Sequence, residues 1–358
     1  GSSNSIGFSV SFKVLVSDPL AEDGLDILKK EFQVDVKTDL SADNLVGIIG
    51  DYDALLVRSG TEVTARVIEA GSRLRFIGRA GAGVDNIDMA AATRRGIIVA
   101  NAPEGNTLAA TEHTMAMILS LARNIPQANS SLKKKEWKRS KFMGVEVNEK
   151  TLGIVGLGRI GREVAKRANV MGMHCVGYDP FISKEKASQM GVEALSLEEL
   201  FKVADFITVH TPLINETRHI INASSIATMK DGVRIINCAR GGIIDEKDLY
   251  DAIVAGKVAG AALDVFEEEP PLDSPLLTLE KVITTPHLGA STVEAQTNVA
   301  VSIAKQCISV LKGGSAKYTV NAPIIPPEYA DTIEPFAYLA EKMARFLTQL
   351  TPGRLEKV

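Results

Sequence analysis

The chain contains 358 residues, 45% of them hydrophobic and 23% charged, and its net charge is −4. This length is typical of two globular domains, and without a basic excess we expect binding neither to nucleic acid nor to a membrane. The cysteines, Cys175, Cys238 and Cys307, lack the spacing of a disulfide framework or a zinc site, so we expect no metal and a reducing, cytoplasmic compartment.

The first hundred residues alternate strand-like and helical segments. Strands are predicted at residues 13–17, 32–36, 54–57, 76–78 and 97–99, and Asp18 and Pro19 are predicted to open the first helix. Strands that alternate with helices indicate parallel βαβ construction. A glycine loop follows the fourth strand at 79–85 (RAGAGVD), but it lacks the third glycine of a dinucleotide-binding turn. We interpret it as a loop that shapes the substrate side of a cleft.

A Pro- and Gly-containing turn at 101–106 (NAPEGN) precedes a long apolar helix predicted at 107–123, and we interpret it as a domain hinge. The basic segment that follows, 132–141 (LKKKEWKRSK), is typical of a solvated helix face with a loop. For Arg139 and Lys141, which lie nearer the predicted domain junction, an anion-binding role is the alternative.

Residues 151–179 carry the motif of a dinucleotide site. An apolar strand is followed by Gly156, Gly158 and Gly161 and by an amphipathic helix predicted at 159–170. Such glycines permit a tight turn, approach of a pyrophosphate to the backbone and close packing of helix on sheet, and the N-terminus of the helix offers amides to the phosphates. The next strand ends at Asp179, whose carboxylate suits the ribose hydroxyls and repels a 2′-phosphate. The motif therefore predicts NAD rather than NADP.

Later strands, predicted at 205–210, 233–237, 259–263 and 282–284, deliver polar residues to one edge of one sheet, where ligands bind in open α/β folds. Oxidation of a hydroxy acid by hydride transfer needs a base, a cation for the carboxylate and a group that sets the pKa of the base. His287, Arg240 and Glu269 are residues of these types. Each alone is more typical of a satisfied surface group than of a catalytic one, and any acid of the run 267–269 has the right chemistry.

The remaining histidines carry weaker signals. His113 lies within the apolar helix and is predicted to pack there. His174, His210 and His219 are predicted to be structural.

Motifs in the order NAPEGNTLAATEH, GIVGLGRIG, YDP, HTPL, NCARGGIIDE, ALDVFEEEP and PHLGAST resemble the D-2-hydroxyacid dehydrogenase family. The resemblance implies an α/β fold with two Rossmann-like parallel-sheet domains. It implies a split substrate-binding domain (1–104 and 295–330), an inserted NAD-binding domain (105–294) and a C-terminal extension (331–358) that begins a regulatory region. The last residues, 355–358, are predicted to be the first half of a strand.

The resemblance also implies roles for individual residues. Arg240, Glu269 and His287 match the catalytic residues, and the glutamate directly before Pro270 is the one selected. The positions implied for the cofactor NAD are Ala82, Gly156, Gly158, Arg159, Ile160, Gly161, Asp179, Thr211, Pro212, Cys238, Ala239, Asp264, Gly289 and Ala290. The positions implied for the substrate are Arg58, Ser59, Arg79, Gly81, Gly83, Asn106 and Arg139, the last from a neighbouring subunit.

Within the family, the loops LLVRSGT and GRAGAGVDN resemble those of members that oxidise D-3-phosphoglycerate to 3-phosphohydroxypyruvate with NAD, the first step of phosphorylated serine biosynthesis. Arg58 and Arg79 beside a glycine loop suit a small acid with two anionic groups. Ala82 stands where many members have Val or Thr, which leaves the shape of the pocket open. The alternatives are a reductase of glyoxylate or hydroxypyruvate and an NAD-sensing scaffold of the corepressor type. The resemblance further implies a homodimer or a higher homo-oligomer.

Overall fold

The computed structural model describes residues 11–322 and 327–350. The chain divides into two compact units. The first unit comprises the described residues of Gly1–Leu20, Leu25–Asn101 and Ile303–Val358, and the second comprises Ala21–Gly24 and Ala102–Ser302. Each unit contains its own parallel sheet, which confirms the predicted α/β fold class.

The first unit is built on a five-stranded sheet. Its strands are β1 (Lys13–Val16), β2 (Gln33–Val36), β3 (Ala54–Val57), β4 (Phe76–Arg79) and β5 (Ile98–Ala100). The helices between them are α1 (Glu22–Lys29), which belongs to this unit from Leu25 onward, α2 (Ala42–Ile48), α3 (Ala65–Ala70) and α4 (Met89–Arg94). The strands are parallel in the order β2-β1-β3-β4-β5, so the order reverses between β1 and β3. Open α/β sheets bind ligands at the carboxyl ends of the strands beside such a switch point.

Local sequence explains these elements. All residues of β3 are buried, as expected for a parallel strand covered by helices on both faces. Helices α2, α3 and α4 are capped by Ser41, Thr64 and Asp88, whose side chains accept backbone N–H groups of the first turn.

The second unit is built on a seven-stranded sheet. Its strands are β6 (Thr151–Val155), β7 (His174–Tyr178), β8 (Glu193–Ala194), β9 (Phe206–Val209), β10 (Val233–Asn237), β11 (Val258–Leu263) and β12 (Val282–Thr284). Its helices are α5 (Thr107–Arg123), α6 (Ile125–Lys133), α7 (Arg159–Val170), α8 (Lys184–Gln189), α9 (Leu197–Val203), α10 (Ala223–Thr228), α11 (Glu246–Val254) and the first part of α12 (Val293–Leu311). The parallel order β12-β11-β10-β9-β6-β7-β8 reverses between β6 and β9.

Buried clusters of apolar residues hold the helices against this second sheet. Ile118 of α5 and Val164 of α7 pack in one cluster with Ile154 of β6. Val155, the next residue of β6, belongs to another cluster with Ile207 of β9. Because neighbouring strand residues point to opposite faces, β6 is covered on both sides, and its carboxyl end is held rigidly.

The C-terminal helices follow the second sheet. The division between the two units falls within α12, after Ser302. The last helix, α13, spans Pro327–Leu350 and contains Pro335. The strand predicted at 355–358 lies outside the described residues.

Candidate active site

The turn after β6 requires glycine at two of the three motif positions. Gly156 has a φ of +98°, and a Cβ there would lie 2.5 Å from the carbonyl oxygen of His210. A Cβ on Gly161 would lie 2.0 Å from the carbonyl oxygen of Gly156. A Cβ on Gly158, in contrast, would meet no atom of the described residues within 4 Å. The fold therefore does not need glycine at 158, and glycine there leaves the backbone open to a ligand.

The acid predicted to bind a ribose lies beside this turn. Asp179 follows β7, and its Oδ2 accepts a hydrogen bond of 2.9 Å from the backbone N–H of Leu157. A cavity of about 340 Å³ adjoins Asp179 and is lined by Leu157, Tyr178 and Ile182 among others. On the other side of the switch point, Oγ1 of Thr211 is buried and has no hydrogen-bond partner among the described residues. The glycine turn, the carboxylate and this spare hydroxyl together fit a dinucleotide.

Arg240 lies in the loop after β10, and the last residue of that strand fixes the loop. Asn237 Nδ2 donates to the carbonyl oxygen of Arg240 at 2.9 Å, and Asn237 Oδ1 accepts from the N–H of Ala239 at 3.0 Å. The guanidinium Nη1 of Arg240 donates to the carbonyl oxygen of Ala239 at 2.7 Å. A Cβ on Gly241 would lie 1.7 Å from the carbonyl oxygen of Phe266. This glycine therefore lets the Arg240 loop lie directly against the loop that leads to Glu269.

Glu269 and His287 form a bonded pair. His287 Nδ1 lies 2.8 Å from Glu269 Oε2, and Glu269 Oε1 accepts from the N–H of Phe266 at 3.1 Å. The hydrogen bond with Glu269 raises the pKa of His287, and the charge of Glu269 adds to this effect while burial opposes it. Burial acts to raise the pKa of Glu269, but the hydrogen bond and charge of His287 hold that pKa below its usual value. A carboxylate on Nδ1 orients the imidazole and leaves Nε2 to exchange a proton.

A buried carboxylate, Asp264, fixes the loop that carries His287. Its Oδ1 accepts from Thr285 Oγ1 at 2.6 Å and from the N–H of Leu288 at 2.7 Å, and its Oδ2 accepts from the N–H of Gly289 at 2.9 Å. His287 has a φ of +54°, which is unfavourable by about 1–2 kcal/mol for a residue with a Cβ. The bonds to Asp264 hold the loop in this conformation and so aim the imidazole.

His113 on α5 joins the same network, although the sequence predicts only packing for it. Its Nε2 lies 3.1 Å from Thr285 Oγ1 and 3.3 Å from Asp264 Oδ1. Burial acts to raise the pKa of Asp264, but hydrogen bonds from His113 and Thr285 and from the N–H of Leu288 outweigh it and lower that pKa. His113 therefore helps to keep Asp264 ionised. No local pattern indicates this contact, because Thr285 is 172 residues away in the chain.

The other acids and histidines near this edge bond elsewhere. Glu267 Oε1 lies 2.8 Å from Nε2 of His219, so Glu269 is the member of the glutamate run that bonds His287. His210 Nε2 lies 2.8 Å from Thr208 Oγ1, and burial lowers the pKa of His210 to about 4. His174 is paired with Glu193 at the surface.

The other positions predicted to contact a cofactor in the second unit lie at the start of α7 or after β9, β10 and β12. Ile160 packs partly buried against the core, and Arg159 Nη2 lies 4.0 Å from Oε1 of Glu104. Burial, reinforced by the charge of Asp264, raises the pKa of Cys238 to about 12, so this thiol stays protonated near neutral pH. The others are Pro212, Ala239 and Ala290.

In the first unit, the predicted substrate residues lie at the carboxyl ends of two paired strands. Arg58 and Ser59 follow β3, and Arg79 ends β4. Nη1 of Arg79 donates to the carbonyl oxygen of Ala80 at 3.0 Å, and a Cβ on Gly81 would lie 2.3 Å from that nitrogen. Gly81 thus makes room for the guanidinium.

The remaining predicted positions are the rest of this glycine loop, in the first unit, and Asn106 and Arg139, in the second. Gly83 ends the GAG sequence, and Asn101 Nδ2 donates to the carbonyl oxygen of Ala82 at 2.7 Å. Asn106 immediately precedes α5, and its Oδ1 is buried without a hydrogen-bond partner among the described residues. Arg139 is exposed in the short turn Arg139–Phe142, where the neighbouring Lys141 pairs with Glu280 at 2.8 Å.

Within residues 11–322 and 327–350, no group of three His, Cys, Asp or Glu side chains is placed to hold a metal ion. No helix in the same part of the chain is long and apolar enough to cross a bilayer.

Comparison with known proteins identifies relatives. Residues 115–289 match the family described as D-isomer specific 2-hydroxyacid dehydrogenase, NAD binding domain. The chain is 53% identical over 346 residues to a Synechocystis protein named D-3-phosphoglycerate dehydrogenase, a match that covers 97% of this chain and 62% of the relative. It is 53% identical over 347 residues to a Methanocaldococcus jannaschii protein of the same name, a match that covers 97% of this chain and 66% of the relative.

A crystal structure of a glyoxylate reductase from Paecilomyes thermophila superposes with a TM-score of 0.80 and 30% identity, covering 87% of this chain and 98% of that one. The likeness extends over both units, since the matched span is longer than either. The chain therefore belongs to the D-isomer specific 2-hydroxyacid dehydrogenase family.

Proposed function

We propose that this chain oxidises D-3-phosphoglycerate to 3-phosphohydroxypyruvate with NAD. The observation that carries the proposal is the 2.8 Å contact between His287 Nδ1 and Glu269 Oε2, at the edge of the sheet whose switch point holds the glycine turn. An imidazole paired with a carboxylate exchanges protons near neutral pH, as oxidation of a hydroxyl group requires. The relatives named D-3-phosphoglycerate dehydrogenase support the choice of substrate, although the chain spans only 62% and 66% of their length.

The second unit would hold the cofactor. The glycine turn and the N-terminal amides of α7 would bind the pyrophosphate, and Asp179 would bind the ribose hydroxyls. Thr211 offers the buried hydroxyl described above. When bound there, NAD would supply the acceptor for the hydride from C2 of the acid.

Three side chains of the second unit would act on the acid itself. His287 would take the C2 hydroxyl proton on Nε2, and Glu269 would stabilise the imidazolium that forms. Arg240 would hold the carboxylate with its planar fork and polarise the C2 oxygen. The proton goes to the imidazole and the hydride leaves C2, so the hydroxyl becomes a carbonyl.

The phosphate and carboxylate of the acid also need cationic side chains other than Arg240. Arg58 and Arg79 would supply them in the first unit, together with the loop that contains Gly81 and Gly83. Ser59, Asn106 and Arg139 complete the proposed substrate set, and Ala82 would contact the cofactor. We assign residues 1–104 and 295–330 to substrate binding and 105–294 to NAD binding. We also propose that the protein forms a homo-oligomer, acts in the cytoplasm and serves serine biosynthesis.

One assay tests the function directly. Reduction of NAD is followed by the absorbance of the NADH that forms, with 3-phosphoglycerate and with the unphosphorylated acids glycerate and glycolate. We expect kcat/KM for the phosphorylated acid to exceed the others by about 100-fold, since two charge-assisted contacts to the phosphate are lost without it. Equal rates would favour a reductase of glyoxylate or hydroxypyruvate. NADH binding without turnover of any acid would favour a scaffold.

A further inference from the structure

The loop after β3 is held at both of its ends. Oδ2 of Asp18 accepts hydrogen bonds from the N–H of Arg58 at 2.6 Å and from the N–H of Thr61 at 3.1 Å. Nδ2 of Asn86 donates to the carbonyl oxygens of the same two residues, at 2.6 Å for Arg58 and 2.7 Å for Thr61. We call residues 58–61 the anchored loop. One acid and one amide thus bind the N–H and the C=O groups of its first and last residues.

Packing around the loop reinforces these bonds. Asp18 is 8% exposed, and Ser17 Oγ lies 2.8 Å from Thr61 Oγ1. A Cβ on Gly60 would lie 2.7 Å from Asp18 Oδ1, so the carboxylate also determines which residue fits at 60. Ser59 and Gly60, between the two anchors, are exposed. The ends of the loop are therefore fixed while its middle faces outward.

The position of the loop in the sheet suggests what the fixation is for. Asp18 follows β1 and Arg58 follows β3, the two strands between which the strand order reverses. Ligands of open α/β sheets bind at this point. A buried carboxylate is costly unless hydrogen-bonded, and charge-assisted bonds to N–H groups are among the strongest that a loop can receive. Asp18 accepts such bonds from two backbone N–H groups of the anchored loop.

We propose that Asp18 and Asn86 are positioning residues that hold the anchored loop in the conformation that recognises the anionic acid. This inference rests on the proposed function and deepens it. Arg58 and Ser59 meet the substrate, and Asp18 and Asn86 act through them. Preorganisation of this kind improves binding because the loop does not have to be ordered when the ligand arrives.

The test uses two variants that each break one anchor, Asn86→Asp and Asp18→Ala, and one conservative variant, Asp18→Asn. Asn86→Asp keeps the size of the side chain but loses both donors and sets an anion against two carbonyl oxygens. Asp18→Ala removes the acceptor, and Asp18→Asn keeps one acceptor oxygen. The matched control is Asp53→Ala: Asp53 is 6% exposed in the same unit and accepts from the N–H of Lys13 at 2.8 Å and from Arg73 at 3.0 Å, but it precedes β3 and so lies at the opposite edge.

We expect Asn86→Asp and Asp18→Ala each to raise KM for 3-phosphoglycerate by about 10-fold or more, with kcat and KM for NAD changed by less than about twofold, because binding rather than the chemical step is weakened. Asp18→Asn should recover part of the loss. An unchanged KM in both variants, or an equal rise in Asp53→Ala, overturns the inference.

Hydrogen exchange separates this inference from the proposed function. Amides of residues 57–62 should exchange faster in Asn86→Asp and Asp18→Ala but not in Asp53→Ala, whatever the activity of the chain. Unaltered exchange overturns the anchoring itself. Faster exchange in a chain whose wild type does not oxidise 3-phosphoglycerate overturns the proposed function, and with it the recognition role, while the anchors stand.

Discussion

The carboxyl edges of the two sheets use acidic side chains in different ways. At the second sheet, Glu269 bonds His287, a side chain that can titrate. Asp264 there bonds the hydroxyl of Thr285 in addition to backbone N–H groups. At the first sheet, Asp18 bonds backbone N–H groups. A carboxylate bonded to an imidazole changes a pKa, whereas a carboxylate bonded to amides fixes the shape of a loop. The second edge thus carries an imidazole whose pKa a carboxylate raises, and the first edge presents a loop that a carboxylate fixes.

The largest effect is expected from removing His287, at the centre of the second edge. His287→Ala removes the proposed base, and we expect kcat for NAD-linked oxidation to fall by about 10²–10⁴-fold, the usual contribution of a positioned acid or base. His174→Ala, which removes a surface histidine paired with Glu193, is the control and should leave kcat unchanged. Full turnover by His287→Ala would show that the second edge does not carry the proton transfer.

The next variant tests whether Asp179, at the same edge, binds the cofactor. Asp179→Ala should weaken NAD binding by about 10–100-fold, since a charged group that bonds the ribose hydroxyls contributes about 1.5–3 kcal/mol. Asp205→Ala serves as the control, because Asp205 accepts from the N–H of Thr151 at 2.9 Å at the amino edge of the same sheet. Calorimetric titration with NAD measures both. Equal losses in the two variants would contradict a ribose contact.

Much of this arrangement is predictable from sequence because local patterns carry it. The strands β10 and β12 are predicted to the residue, since their β-branched runs are bounded by turn residues. Arg240, Glu269 and His287 are predicted to share an edge because parallel strands end on the same side. Among the elements that escape prediction, β8 has only two residues, and α6 follows a left-handed Asn124 with Pro126 in its first turn, which are signals for a helix to stop.

The contacts that escape prediction join distant parts of the chain. Asp18 followed by Pro19 has the local signature of a helix start, and the sequence predicts a helix there. In the structure α1 begins at Glu22, and Asp18 bonds residues 40 and 43 positions away. His113 likewise has an apolar helical environment in sequence, and only the fold brings it to Asp264. Hydrogen bonds of buried polar groups depend on tertiary contacts, which periodicity does not encode.

A pair of glycine variants separates the two functions of the turn after β6. Gly158→Ala places a Cβ where no described atom lies within 4 Å, so the melting temperature should stay within about 2 °C of wild type while NAD affinity falls about 10-fold through collision with the pyrophosphate. Gly161→Ala places a Cβ 2.0 Å from the carbonyl oxygen of Gly156 and should lower the melting temperature itself. Thermal melting with and without NAD distinguishes the variants. A Gly158→Ala chain with unchanged affinity would contradict the proposed pyrophosphate site.

The smallest expected effect concerns the pH dependence of stability, which the second edge should show through Glu269 and His287. The raised pKa of His287 gives stability that is fully present below the ordinary imidazole value of about 6.5 and is lost as pH rises through the folded value. The lowered pKa of Glu269 gives stability that is present above the ordinary value of about 4.3 and is lost as pH falls through the folded value. Both stabilising contributions are therefore present together between about pH 4.3 and 6.5.

Wild type should therefore exceed Glu269→Gln in stability most within this window, at about pH 5.5, and by less as the pH rises above the ordinary imidazole value, to about pH 8.5. The side chains of His287 and Glu269 are 48% and 37% exposed, so solvent screening limits the gain to less than about 1 kcal/mol. Glu268→Gln, a neighbour in the same run, is the control and should show no such pH dependence. Thermal melting at the two pH values measures the difference. If wild type exceeded Glu269→Gln in stability by the same amount at both pH values, the pair would not hold a charged imidazole. The contrast between the two edges would then rest on geometry alone.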